Sequence, residues 1–258
     1  MISSSQSKLI RSLQKKKFRD QHSLFLVEGE KMVMELASGD ATDRFQMQEL
    51  FANPEWIQSH SNAVKQSGTK VTEASLAEIK KVSNLVTPQP VIAVVSIPSD
   101  KLRLEELLQT PVLAFESIRD PGNLGTIIRT ADWFGIRHIV CTPDSTDLYN
   151  PKVVQSTMGA ITRVQVHYLE FETLLKSKEI QLKTVFGTYM EGENIYETPL
   201  EPDPLILFGN ESHGLSRALN PHIHQRISIP SFSPTGPGSE SLNVASAVAV
   251  VCSELQRR

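Results

Sequence analysis

Two cysteines in 258 residues are too few for a disulfide framework. Both Cys141 and Cys252 sit in apolar runs, which reads as reduced thiols in a core. No apolar run approaches the roughly 20 residues that span a bilayer, and the N-terminus lacks the hydrophobic centre of a secretory signal. Charge of one sign is not in excess either, since the formal net charge is -3. The chain has no G-x-G-x-x-G fingerprint, no G-K-[ST] phosphate loop and no G-x-S-x-G elbow. It also lacks a Cys/His cluster at metal spacing, internal repeats and low-complexity tracts. These absences point away from secreted, membrane, P-loop, dinucleotide and zinc proteins. They leave a cytoplasmic globular chain with no metal.

What is present is enough for a core: 40% hydrophobic and 21% charged residues, in a length that suits one large or two ordinary domains. Residues 1–20 carry Lys8, Arg11, Lys15, Lys16, Lys17 and Arg19 against the single acid Asp20. With Leu9, Ile10, Leu13 and Phe18, residues 3–20 read as one basic amphipathic helix, either a solvated face or a phosphate-contacting arm. Short strands and helices alternate to Val91–Ser96, so residues 1–100 form a small mixed α/β domain. Residues 101–110 read as a linker helix, and 111–258 as a second domain of regular strand–helix alternation. Apolar strands such as Val112–Phe115 and Leu205–Phe208 predict a parallel sheet covered on both faces. Ligands of such sheets gather at the carboxyl ends of the strands. The loops there are Glu116–Asn123, Gly187–Glu193, Gly209–Gly214 and Ser231–Ser241.

Asp120-Pro121-Gly122-Asn123 reads as a turn before a helix from Leu124, and Asn150-Pro151 as the start of a helix running to about Ala160. On the first of these helices Arg129 is either paired with a carboxylate or aimed at an anionic ligand. Glu211 reads as a general base, a capping acid or the ion-pair partner of Arg129. His213 is either a catalytic histidine or a surface residue. Gly236 and Gly238 frame a flexible connector or lid. The last helix, from Ser241 or Asn243 through Cys252, is apolar on nearly every face, so it is expected to lie in the core or against a second subunit.

Three stretches then fall in one order: Asp120-Pro121-Gly122-Asn123-Leu124-Gly125 through Arg129-Thr130-Ala131; Leu205 through Phe208-Gly209-Asn210-Glu211 and Gly214-Leu215; and Ile229-Pro230 with Ser241-Leu242-Asn243-Val244-Ala245. Ser156 to Ala160 adds a fourth, looser one. Together they resemble the SpoU, or TrmH-type, RNA 2′-O-methyltransferases of the SPOUT superfamily. The first hundred residues resemble the L30e-like substrate-binding domain that often precedes it. The resemblance implies a SPOUT domain with a C-terminal trefoil knot and a homodimer packed through the knot region. It also implies transfer of a methyl group from S-adenosylmethionine to a ribose 2′-hydroxyl, and the separate N-terminal domain favours ribosomal RNA as the substrate. The alternatives are a transfer RNA 2′-O-methyltransferase or a catalytically inactive RNA-binding protein of the same fold. Arg129, Asn123, Glu211, Ser241 and Asn243 are the implied catalytic set. Gly187, Thr188, Gly209, Ile229 and Leu242 would hold the donor, and Lys15, Lys16, Lys17 and Arg19 would contact RNA. Departures are Ser231 after Ile229-Pro230, where the family usually has Met, and a longer loop to Ser241.

Overall fold

The computed structural model describes residues 1–37, 44–99, 102–233 and 241–257. Gly236 and Gly238, read as the frame of a lid, lie outside the described residues. In chain order the first elements are α1 (Ser4–Ser12), α2 (Lys16–His22), β1 (Leu24–Glu28), α3 (Glu30–Ala37) and β2 (Met47–Ala52). Then come α4 (Pro54–Ser59), α5 (Ser61–Ser67), β3 (Lys70–Glu73), α6 (Leu76–Val82) and β4 (Val91–Ser96). A 3₁₀ turn (Leu104–Leu107) stands where a linker helix was expected, followed by β5 (Val112–Phe115), α7 (Pro121–Trp133), β6 (His138–Cys141), α8 (Pro151–Thr157) and β7 (Gln165–Tyr168). The chain closes with α9 (Phe171–Leu175), α10 (Lys178–Gln181), β8 (Val185–Asn194), β9 (Leu205–Phe208), β10 (Gln225–Ser228) and α11 (Val244–Arg257).

By contact the chain divides into two units, Met1–Asp100 with Asp147–Arg163, and Lys101–Thr146 with Val164–Arg258. The segment 147–163, assigned from the sequence to the second domain, therefore packs with the first. The first unit holds a four-stranded sheet in the order β1-β4-β2-β3, with β4 antiparallel to both neighbours and β3 parallel to β2. Ile10, Leu13, Phe51, Ile79 and Ile92 are buried together in its core.

The basic N-terminal segment is two helices, not one. Ser3 starts α1 with a capping box, its hydroxyl accepting from Gln6 N while the Gln6 amide oxygen accepts from Ser3 N. The chain then breaks at Lys15, which is extended, and Arg19 explains the break. Its Nη1 donates to the carbonyls of Leu13 and Gln14, both at 2.9 Å, the kind of groups a helix end leaves unpaired. Its Nη2 meets Asp147 at 2.6 Å. Arg19 is 2% exposed, so the expectation that it contacts RNA is overturned: its charge and its donors are used inside the protein.

Asn150 caps α8 by accepting from Lys152 N at 2.9 Å, with Pro151 in the first turn. The helix ends at Thr157, short of Ala160, because Met158 and Gly159 are left-handed, with φ of 51° and 102°. The φ of Gly159 favours glycine there, and a Cβ would in addition push aside the Glu35 carboxylate, 2.7 Å away.

In the second unit six strands run parallel in the order β10-β8-β9-β5-β6-β7. The four residues of β5, β6 and β9 are all buried, as strands covered on both faces require. Cys141 and Cys252 are free and buried, and burial pushes the Cys252 thiol up to about 12 and that of Cys141 higher still. Among the described residues, no helix is long and apolar enough to cross a membrane.

Candidate active site

The carboxyl ends of β8, β9 and β5 are neighbours, and the loops leaving them build one cluster. Glu116 N extends the β5–β9 pairing by donating to Phe208 O at 2.9 Å, and the Glu116 carboxylate accepts from Ser216 N at 2.7 Å. Ser117 then turns the chain with a left-handed φ of 56°, unusual for a residue with a side chain. It is held from several sides. Its N–H donates to Thr142 Oγ1 at 2.8 Å, its hydroxyl donates to Asp144, and its carbonyl accepts from Asn210 Nδ2 at 2.9 Å. Hydrogen bonds from Ser117 and Thr142, with Arg119 beside it, hold the Asp144 carboxyl below its usual range.

Asp120 proves to be the N-cap of α7, accepting from Asn123 N at 2.8 Å, so the expected free turn at Asp120–Asn123 is the first turn of the helix. Gly125 is buried on its inner face. After β9, Asn210 and Gly214 exchange both backbone hydrogen bonds, and a Cβ at Gly209 would lie 2.1 Å from Gly214 C. Only glycine permits this approach. His213 leans on Asn210 Oδ1 at 3.3 Å and is exposed, as the surface reading had it.

Asn243 caps α11, its Oδ1 accepting from Ala245 N at 2.9 Å. Its Nδ2 donates to Asn123 Oδ1 at 3.1 Å, and Asn123 Nδ2 donates to Glu211 Oε1 at 3.0 Å. The polarity of this chain is set from both ends. A helix N-terminus offers only donors, so Asn243 must turn its oxygen inward and its amino group toward Asn123. At the other end Glu211, as a carboxylate, can only accept. Three segments separated by up to 120 positions are thus joined by two side-chain hydrogen bonds.

Ser241, Glu211 and Asn243 are exposed and Asn123 is half-buried. Arg129 is also exposed, on the solvent side of α7 with Thr126 and Trp133. Among the described residues it makes no hydrogen bond or ion pair, so the structural-pair reading of Arg129, with Glu211 as partner, does not hold. Nor does the structure bring Arg129 to the Asn243–Asn123–Glu211 chain. It lies six positions on from Asn123, about 9 Å along the helix.

Gly187 is buried, and a Cβ there would meet the Tyr189 ring at 2.8 Å. Thr188 Oγ1 donates to Leu207 O at 3.0 Å, while Gly209 and Ile229 are half-buried and Leu242 is 51% exposed. The expected loop Gly187–Glu193 lies inside β8, which runs on to Asn194. Its pairing with β10 jumps from Gly187–Arg226 to Glu193–Ile227, so the residues between bulge outward. Tyr189 on this bulge sits under the Arg226 guanidinium, 4.7 Å from the ring centre, and donates to Asn220 at 2.9 Å. Sequence reading missed Ser117, Thr142, Asp144 and Tyr189. None lies in a recognisable motif, and a left-handed serine leaves no trace in composition. Among the described residues, no group of acidic, His or Cys side chains could hold a metal. Lys15, Lys16 and Lys17 are exposed in the first unit, Lys16 pairing with Asp20 at 3.2 Å.

Comparison with known proteins agrees with this geometry. The SpoU rRNA Methylase family profile matches residues 110–253, and an MRM3-like substrate binding domain profile matches residues 5–93. A 23S rRNA (guanosine(2553)-2′-O)-methyltransferase of Bacillus subtilis, RlmP, is 28% identical over 95% of this chain and 94% of its own length. A solved TrmH-family structure from Porphyromonas gingivalis superposes with a TM-score of 0.86 at 34% identity, covering 100% of this chain and 99% of that one. An AdoMet-bound rRNA methyltransferase from Sinorhizobium meliloti gives 0.83 at 26% identity, covering 100% and 97%. With these matches spanning both units, the chain belongs to the SpoU family of rRNA methylases.

Proposed function

We propose that this protein methylates a ribose 2′-hydroxyl of ribosomal RNA, using S-adenosylmethionine as the donor. The observation that carries the proposal is the Asn243–Asn123–Glu211 chain, with Arg129 exposed on the same helix as Asn123. The B. subtilis relative acts on a ribose of 23S rRNA, and the S. meliloti structure is named for its bound AdoMet. The residues where β8 parts from β9, and those following β9 and β10, suit such a donor. Gly187 and Gly209 bring backbone without side chains, while Ile229 and Leu242 offer apolar surface to an adenosine. Those four residues and Thr188 would hold the donor. It supplies a methyl group on a positively charged sulfur.

The rest falls to the chain's own side chains. A 2′-hydroxyl is a poor nucleophile until its proton is drawn off. A guanidinium has no acceptor for that proton, so Arg129 holds the neighbouring phosphate and favours the alkoxide by charge while the proton passes to water. Glu211, Asn123, Ser241 and Asn243 orient the ribose, and holding it in line supplies much of the rate. We further propose that residues 1–100 bind RNA, with Lys15, Lys16 and Lys17 on phosphates, and that 111–258 carry out the transfer. Two copies would pair through the C-terminal region, where the resemblance places the trefoil knot; Trp133, 85% exposed, lies on α7 beside α11. The cytoplasm is the proposed compartment.

Calorimetric titration with S-adenosylmethionine and S-adenosylhomocysteine, with NADH as control, tests the donor. Incubation with tritiated donor and unmodified ribosomal or transfer RNA tests the acceptor. Label in alkali-resistant dinucleotides of ribosomal RNA is the expected result. Label confined to transfer RNA would overturn the choice of RNA. Absence of both binding and label would leave the inactive, RNA-binding alternative.

A further inference from the structure

The first unit contains a cavity of about 280 Å³ that the proposed chemistry does not use. Its apolar surface comes from three elements: Leu26 on β1, Leu85 after α6 and Val154 on α8. Its polar groups are Glu28, Asn84 and Gln155, with the exposed Lys152 at the edge. Glu28 is 6% exposed and is fixed in place, accepting from Asn84 N at 3.0 Å and from the Ser83 hydroxyl. Two bonds leave a carboxylate with acceptor capacity to spare. The side-chain amides of Asn84 and Gln155 make no hydrogen bond among the described residues, and Gln155 is half-buried. Asn84 is exposed and meets solvent, so Gln155 is the one of the two whose amide lacks a ready partner. Drug-sized ligands occupy pockets of roughly 300–1,000 Å³, so this one suits something smaller and flat.

We infer that this pocket receives one unpaired base of the RNA substrate, with guanine preferred because its edge donates to Glu28. The inference rests on the RNA-methyltransferase reading above. Apolar side chains take the faces of a base, and the fixed carboxylate takes adjacent N–H donors that adenine and uracil do not present together. Asn84 and Gln155, which both donate and accept, meet the remaining edge atoms.

The test uses the full chain and two fluorescein-labelled twelve-nucleotide RNAs, uridine throughout except for a central guanosine or a central adenosine. Fluorescence anisotropy is expected to show tighter binding of the guanosine RNA by roughly tenfold, the discrimination of one good paired contact. Gln155→Trp, which fills the cavity, should erase that preference and leave the adenosine RNA bound as before. Asn84→Ala, on an exposed segment, does the same to a smaller degree and stands in if the tryptophan variant fails to fold. Unchanged S-adenosylmethionine titration verifies the second unit in each variant. A wild-type protein with no guanosine preference, or variants that keep it, would overturn the pocket assignment alone, provided ribosomal RNA is still methylated. Loss of all RNA binding and methylation in the wild type would overturn the broader reading and this one with it.

Discussion

Arg19 and Arg129 look alike in sequence, each a cation in an amphipathic helix and each assigned to RNA or its chemistry. Their surroundings separate them. Arg19 is buried, with two carbonyls and a carboxylate taking its donors. Arg129 is exposed, with no partner among the described residues. A guanidinium whose fork is filled from inside is a strut. One left in solvent, on the helix that also carries a member of a hydrogen-bonded polar cluster, is available to a ligand. The same contrast holds between Glu28, fixed under a cavity, and Glu211, exposed at the end of the Asn243–Asn123 chain.

Substitutions can break that comparison, and the largest effect belongs to the strut. Arg19→Ala strands Asp147 and two carbonyls, and should cost about 3–5 kcal/mol in the first unit. Denaturant unfolding measures it, and methyl transfer by the fraction still folded should stay near wild type. Arg129→Ala should do the reverse, lowering methyl transfer at least ~100-fold with the unfolding midpoint unchanged. Equal effects on activity from both variants would collapse the distinction.

Asn243→Ala removes both a helix cap and the link to Asn123. It should cost about 1 kcal/mol and slow transfer roughly tenfold, whereas Asn243→Asp keeps the cap but sets a second carboxylate near Glu211. If the Asp variant is as active as wild type, the polarity of the chain is unimportant. The smallest change is expected at the exposed lysines. Replacing Lys15, Lys16 and Lys17 together by Ala should leave stability alone and reduce the salt dependence of RNA binding by about 2 in log–log slope. An unchanged slope would place RNA elsewhere on the protein.

Local signals were legible where a residue type has one dominant use. The strands Leu24–Glu28, Val91–Ser96, Val112–Phe115 and Leu205–Phe208 were readable as short apolar runs, because a strand buried on both faces admits little else. Asn150-Pro151 marked a helix start for the same reason. Reading failed where a distant partner decides. Nothing near Lys15 announces a helix break, because its cause is Arg19 reaching back to Leu13 and Gln14 under the charge of Asp147, 128 residues on. Gly187–Glu193 looked like a loop, yet pairing with β10 keeps it in a strand with a bulge.

Composition and motif order by themselves determined a two-part α/β chain with a parallel sheet, and its resemblance to RNA methyltransferases. Hydrophobic period and helix caps act over a few residues, so they can be read directly. Only the tertiary structure decided which polar residues are occupied and which are free. It sent 147–163 to the first unit, buried Arg19, left Arg129 in solvent and drew Asn123, Glu211 and Asn243 together. A hydrogen bond or ion pair depends on where two groups end up in space, and for residues 88 or 120 positions apart that is settled by the fold.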